Sequence, residues 1–484
     1  MMLSQALEFA SKHRQQHLAA LIEWLRIPSV STLPEHAPDV RRAAEFAYQI
    51  LVEMGMQRVE IHPTPGHPVV YAEWRLDENS DSKDQACKTG DSRVQAAPTL
   101  LIYGHYDVQP IDPIEQWTRP PFDPIIDGDN IYARGASDDK GQVMAVLSAL
   151  RSYLQSCGRL PVNVKLLLEG EEEITSRNLF AYLQEHTREL VADAVLISDQ
   201  DMLSPQHPVI MWGVRGQVYF EISVNGPSRD LHSGTFGGSV DNPLNVLVRL
   251  LASLQDATTR RVLVPGFYDS VDEPSQQDRE LIARAPITDE LGLSLTGAPA
   301  LAGETGYSLA ERVSVRPTLE IHGVSGGYSG EGSKTVIPSS ASAKLGMRLV
   351  PNQNPTNIAE KTLAYLHAQC PNSVDLRIQV IGQAHPVRID FNAEAIQAAQ
   401  VAYHLGFGAA PVYLRGGGSL PIVHEMIQSL KSPAGRHPIP IVMIGFGLPD
   451  DGTHSPNEKF FLPNFYHGID TVIHYLDQFS RIAT

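Results

Sequence analysis

The chain has only three cysteines in 484 residues, Cys87, Cys157 and Cys370, far apart and without a CxxC pair. That scarcity speaks against a disulfide framework and a thiolate zinc site, and it fits a reducing compartment. Long apolar runs are missing too: nothing approaches about eighteen consecutive apolar residues, so no membrane-spanning helix is expected. Positive charge is in deficit, with 38 Lys and Arg against 55 Asp and Glu and a formal charge of −17. Such a balance argues against nonspecific attraction to nucleic acid or anionic lipid, and it is compatible with carboxylate-rich metal sites. The opening MMLSQALEFASKHRQQHLAALIEWL puts charge into every turn and lacks the unbroken apolar core and small-residue cleavage site of a secretory leader. A cytoplasmic protein is therefore expected.

What is present is an ordinary globular composition, 42% hydrophobic and 19% charged, on a chain too long for one core. Two domains are the natural expectation. Periodicity predicts amphipathic helices over 3–26 and 38–55, separated by Pro28 and Pro34. A polar stretch at 77–97 reads as a hairpin insertion without chemistry. Strand 99–108, helix 140–155, strand 162–169, helix 177–190 and strand 193–198 then alternate. Their nearly continuous apolar strands predict a mainly parallel sheet with helices on both faces. From residue 213 the rhythm changes to a β-α-β-β-α-β order, ferredoxin-like, interrupted by an insertion at 257–314 that carries no assignable motif. The α/β pattern returns at 386. The reading is an α/β catalytic domain of residues 1–212 and 386–484, with an α+β domain of residues 213–385 inserted into it.

In the α/β part, residues able to bind metal recur where apolar strands end. His105 and Asp107 close TLLIYGHYDV, Glu172 and Glu173 follow VNVKLLLEG, Asp199 follows DAVLIS, and His454 follows PIVMIGFG. Carboxyl ends of strands line the ligand crevice of open α/β sheets, so distant residues converge there. The H-x-D spacing suits a ligand with an orienting carboxylate on one strand face, although such a pair alone is more often structural. Asp138 and Asp139 precede an apolar helix, where capping would explain one aspartate. The functional alternative is a carboxylate bridging two cations about 3.5–4 Å apart. Glu171, Glu172 and Glu173 read either as a solvated face or as a ligand beside a general base, because adjacent carboxylates repel without cations. With Asp199 and His454 the donors are nitrogen and oxygen, suited to zinc, manganese or cobalt.

Together and in order, GHYDVQP, WTRPPFDP, RGASDDKG, EGEEEITS, ISD, RDLHSGTFGG, KTVIP, RLVP, GGGSLPI and THSPNEK span nearly the whole chain. They resemble the di-zinc metallopeptidases of the aminoacylase, carboxypeptidase G and carnosinase superfamily. Through RDLHSG, KTVIP and HSPNEK the chain is most similar to the cytosolic nonspecific dipeptidases and carnosinases.

The resemblance implies two divalent ions, zinc foremost and manganese or cobalt as alternatives. Asp138 is then the bridging ligand, with His105 and Asp199 on one ion and Glu173 and His454 on the other. Asp107 orients, and Glu172 is the general base that activates a water between the metals. It also implies a cis Asp138–Asp139 peptide bond and makes His232 the oxyanion donor, supplied across a homodimer interface by an inserted domain that serves as lid and dimerisation surface. Arg348 and the Gly416–Gly417–Gly418–Ser419 loop would grip a substrate carboxylate, with Thr335 contributing. The loop lacks the Lys-Ser/Thr ending of a phosphate-binding loop.

The implied activity is hydrolysis of an amide bond in a dipeptide or short peptide with a free C-terminal carboxylate. A deacylase of N-acyl amino acids is the alternative. A noncatalytic relative of the fold would lack a ligand or base, and none is missing. Glu171 departs from the small or apolar residue common before the paired glutamates.

Overall fold

The structure is a computed structural model and describes residues 1–76, 97–418 and 420–482. The hairpin expected at 77–97 therefore lies outside the described residues apart from Ala97, and Ser419 lies outside them as well. The chain divides into two units, one of Met1–Trp212, Ile389–Tyr413 and Ile422–Thr484, the other of Gly213–Arg388 and Leu414–Pro421.

In the first unit a mixed sheet runs in the order Arg58–His62, Val69–Trp74, Asn163–Glu169, Thr99–His105, Ala194–Ser198, Ile441–Ile444, Val209–Val214. The strands from Asn163–Glu169 to Ile441–Ile444 are parallel, and those flanking them are antiparallel. The α/β class expected from the sequence is thus what the chain adopts, with the parallel strands concentrated at the centre. These central strands are buried almost throughout, which is why their sequences are unbroken apolar runs rather than alternations. Being parallel, they also end at one edge, and that edge receives the loops after His105, Glu169, Ser198 and Ile444. Helix Lys140–Cys157, buried along nearly its whole length, packs against Leu462–Phe479 and Met2–Lys12. The single helix expected over 3–26 is two, Met2–Lys12 and Arg14–Leu25. They meet at His13, whose backbone leaves the helical region (φ −108°, ψ 19°) and whose Nδ1 lies 2.8 Å from the Phe9 carbonyl.

The second unit holds an antiparallel sheet in the order Thr318–Gly326, Ser340–Leu349, Gly216–Asn225, Asp375–Ala384. Helices Pro243–Ser253 and Pro355–Gln369 share its apolar core through Val246, Leu247, Leu250 and Ile358. This is the expected ferredoxin-like arrangement. The insertion at 257–314 is folded, with helices Gln276–Ala283, Asp289–Thr296 and Leu309–Ser314. Each is opened by a side-chain cap, from Ser275, Thr288 and Ser308, and the first and third are full capping boxes with Asp278 and Glu311. Buried Arg316 ties the insertion down: it meets both oxygens of Glu304 at 2.8 Å and lies 4.2 Å from the centre of the Tyr307 ring.

Candidate metal centre

The loops at the carboxyl edge of the first unit bring two sets of three side chains together, His105, Asp138 and Asp199 in one, Asp138, Glu173 and His454 in the other. Asp138 belongs to both. Its Oδ1 lies 3.1 Å from His105 Nε2 and its Oδ2 2.9 Å from His454 Nε2. Asp199 Oδ2 is 3.9 Å from His105 Nε2, and Glu173 Oε2 is 3.2 Å from His454 Nε2. One carboxylate thus turns each of its oxygens toward a different imidazole, which is the placement that a bridging ligand needs. Capping explains neither aspartate. The helix begins at Lys140 with Asp139 as N-cap, and no side chain caps it. Asp139 Oδ2 instead accepts the amide of His105 at 3.2 Å. The Asp138–Asp139 peptide bond is cis.

The carboxylates of the cluster crowd one another in a buried site. Burial, together with Asp139 and Asp138, raises the Asp199 pKa well above the usual carboxylate range. Burial and neighbouring Asp138 also raise Glu173. Glu172 is pushed up to about 7, mainly by burial, with His105 opposing and Glu173 and Asp138 adding to the rise. Burial disfavours a charged His105, yet Asp107 and Asp138 raise its pKa well above normal. Bonds to Asp138 and Glu173 hold His454 up at about 10. Divalent ions would relieve this crowding of carboxylates, and the nitrogen and oxygen donors fit such ions.

Asp107 lies just past the Thr99–His105 strand and serves three neighbours. Its Oδ1 is 3.3 Å from His105 Nδ1, and its carboxylate accepts the amides of Glu172 and Glu173, each at 3.2 Å. One buried side chain thereby fixes a histidine ring and the turn that bears both glutamates. Two contacts were not read from the sequence. Gln109 Nε2 donates to Glu173 Oε2 at 2.7 Å, and its signal was its place in GHYDVQP. Glu171 turns away from the cluster: it accepts the His67 amide at 2.9 Å and bonds the Asn178 side-chain and backbone nitrogens at 2.9 and 3.3 Å. Gly66 makes room for it, since a Cβ there would come within 1.7 Å of Glu171 Oε1.

In the second unit, RDLHSG and KTVIP meet. Leu231 pairs with Ile337 and His232 with Val336, and the Ser233 amide donates to the Thr335 carbonyl at 3.1 Å. The Gly234 amide donates to His232 Nδ1 at 3.0 Å. A neutral ring in that bond carries its proton on Nε2, leaving an N–H donor. Glycine at 234 permits the approach, since a Cβ would lie 2.7 Å from His232 Cε1. Arg348 Nη1 donates to Gln217 Oε1 at 2.9 Å across paired strands. Gly418 is exposed, and a Cβ there would touch nothing within 4 Å. Its segment, Leu414–Pro421, groups with the second unit, where Arg215 reaches the Gly417 carbonyl at 3.2 Å.

Nitrogen and oxygen donors gathered at the carboxyl edge of an α/β sheet form a candidate metal centre. Residues 101–478 match peptidase family M20/M25/M40, and the chain belongs to that family of metallopeptidases. It is 30% identical to the Cys-Gly metallodipeptidase dug1 of Schizosaccharomyces pombe, over 100% of this chain and 99% of that protein. It is 29% identical to the Beta-Ala-His dipeptidase of Mus musculus, over 96% of this chain and 93% of that protein. Among solved structures, the M20 family metallo-carboxypeptidase Sso-CP2 from Sulfolobus solfataricus superposes with a TM-score of 0.81 at 34% identity, covering 96% of this chain and 99% of that one.

Proposed function

We propose that this chain is a metal-dependent dipeptidase, cleaving the amide bond of dipeptides or short peptides that carry a free C-terminal carboxylate. The observation that carries the reading is Asp138, whose two oxygens face His105 and His454 at 3.1 and 2.9 Å. Similarity to dipeptidases over nearly the full length supports the substrate class. His105, Asp138 and Asp199 would hold one divalent ion and Asp138, Glu173 and His454 a second, zinc foremost, with manganese and cobalt accommodated by the same donors. Bound there, the ions supply Lewis acidity and lower the pKa of water.

The protein's own groups do the rest. Glu172, buried and pushed up to about 7, is suited to take a proton from the attacking water on its carboxylate and return it to the leaving amine nitrogen. Asp107 keeps the His105 ring and the Glu172 amide in register. The Nε2–H of His232 donates to the developing oxyanion, reaching the active site of a second copy in a homodimer. Arg348, Thr335, Gly418 and Ser419 receive the substrate carboxylate. The protein acts in the cytoplasm, consistent with its sparse cysteines.

The test is a panel of dipeptides set against N-acetyl and N-succinyl amino acids, run with metal-reconstituted enzyme. Turnover of dipeptides is expected. Turnover confined to the acylated set would replace the dipeptidase reading with a deacylase.

A further inference from the structure

The acid that follows the last candidate ligand in sequence does not face the metal centre at all. Glu458 is fully buried, and its carboxylate sits inside the loop that carries Asp138, some 320 residues away in sequence. Oε1 accepts the amides of Ser137 at 3.0 Å and Asp138 at 3.1 Å. Oε2 accepts the Gly135 amide at 2.9 Å and Arg134 Nη1 at 2.8 Å. The Glu458 carbonyl accepts the Ala133 amide at 3.1 Å. Donors from five of the six residues 133–138 thus converge on one side chain and its own carbonyl.

Adjoining stretches of the same chain complete the hold. Asp451 Oδ2 accepts Ser137 Oγ at 2.9 Å, and its Oδ1 meets Lys459 Nζ at 3.0 Å. Gln142 bridges the two segments, donating to the Ser137 carbonyl at 3.0 Å and accepting the Phe446 amide at 2.8 Å. The stretch 446–459 also carries His454, which faces the second oxygen of Asp138.

We propose that Glu458 is a positioning residue that builds the Asp138 loop into its ligand-bearing shape before any metal arrives, so that one segment sets both the shared ligand and His454. The inference rests on the reading of Asp138 as the shared ligand. Its physical basis is that a loop of inward-turned amides needs an internal acceptor, and a buried carboxylate needs several donors and an opposing charge. Each supplies what the other lacks. Glutamine is a poor substitute, because its NH2 would point at N–H donors whichever way the amide is turned.

Two measurements on the full-length protein test this. In the first, hydrogen exchange of peptides covering 133–140 is compared between chelator-stripped and Zn2+-loaded wild type. Near-equal protection is expected. Exchange faster by about tenfold or more after stripping, with the 99–105 strand unchanged, overturns the proposal. In the second, metal-free Glu458→Gln is titrated with Co2+ beside wild type and His454→Ala, and its melting temperature is recorded.

Glu458→Gln should weaken both equivalents of cobalt by about 10–100-fold, the range for lost supporting groups, while His454→Ala weakens one. A merely structural salt bridge would lower the melting temperature and leave affinity intact. That result, or a loss confined to one equivalent, overturns the proposal. Should Glu458→Gln fail to fold, the exchange arm decides. Absence of dipeptide turnover with both metals bound and the loop protected would sink the dipeptidase reading and leave this one standing.

Discussion

The metal centre of the first unit and the loops of the second are built in different ways. Around Asp138 several backbone amides are held by side chains distant in sequence: that of His105 by Asp139, those of Glu172 and Glu173 by Asp107, and that of Asp138 by Glu458. His232 and Thr335 are exposed and held by local bonds, the ring by the Gly234 amide two residues on and the Thr335 carbonyl by Ser233 across a short ladder. The first arrangement is preorganised for charge, with donors fixed before a ligand is present. The second presents an exposed donor on a local motif. If the proposed roles hold, metal binding should depend on the first unit alone and turnover on residues of both.

The largest effect expected is from Glu172→Gln, which removes the proton acceptor and keeps the shape. Turnover should fall by about 10³-fold, within the range for lost general base catalysis, with metal content at the wild-type level. Steady-state kinetics beside metal analysis checks this; a kcat within about tenfold of wild type would remove Glu172 from its role.

His232→Ala should cost about 10²–10³ in kcat, as for a lost oxyanion donor, again with metal content unchanged. If it loses metal instead, the separation between the units breaks. Mixing the two inactive variants sharpens the test. When His232 serves the partner's site, a mixed dimer has one site with both Glu172 and a partner His232, and activity returns. A mixture that stays inactive places His232 in its own subunit's site.

How much of this was legible follows from the same contrast. His105, Glu173, Asp199 and His454 were readable because parallel strands end at one edge, so chemistry-bearing residues after apolar runs converge, whereas Asp138 precedes a helix and joined them through the resemblance. The β-α-β-β-α-β succession of the second unit was readable from alternation and spacing. The helices of the 257–314 insertion went unread, although Ser275 with Asp278 and Ser308 with Glu311 stand at capping-box spacing. Short helices carry little periodicity, and their caps are then the stronger signal. Glu458 read only as part of a motif, because no local pattern announces that an acid will serve a loop 320 residues away.

A smaller effect should appear on metal affinity as pH changes. In the metal-free site Asp138 and Glu173 hold His454 up at about 10. A histidine raised in this way favours the folded state below its unfolded pKa, near 6.5, and that contribution is lost as pH rises through about 10. The metal-free protein should therefore lose stability with rising pH over this window. Metal uptake runs in the opposite direction, since a cation must displace the proton. Apparent Zn2+ affinity should rise about tenfold per pH unit for each proton displaced. Competition titrations between about pH 6 and 8 check it, and an affinity independent of pH would mean that the imidazoles are not the ligands.

The smallest effect expected is at Glu171, which precedes the paired glutamates. It faces neither cluster: its bonds go to His67 and Asn178, and Gly66 is shaped to receive it. Glu171→Met removes an acceptor from half-buried donors, which should destabilise the protein by about 1 kcal/mol. Because Asp107 independently holds the amides of Glu172 and Glu173, kcat should stay within about tenfold of wild type. Thermal melts beside kinetics separate the two. A variant with an unchanged melting temperature and no turnover would move Glu171 from the supporting frame into the reacting site, and the division between preorganised frame and reacting groups would then have to be redrawn within the first unit itself.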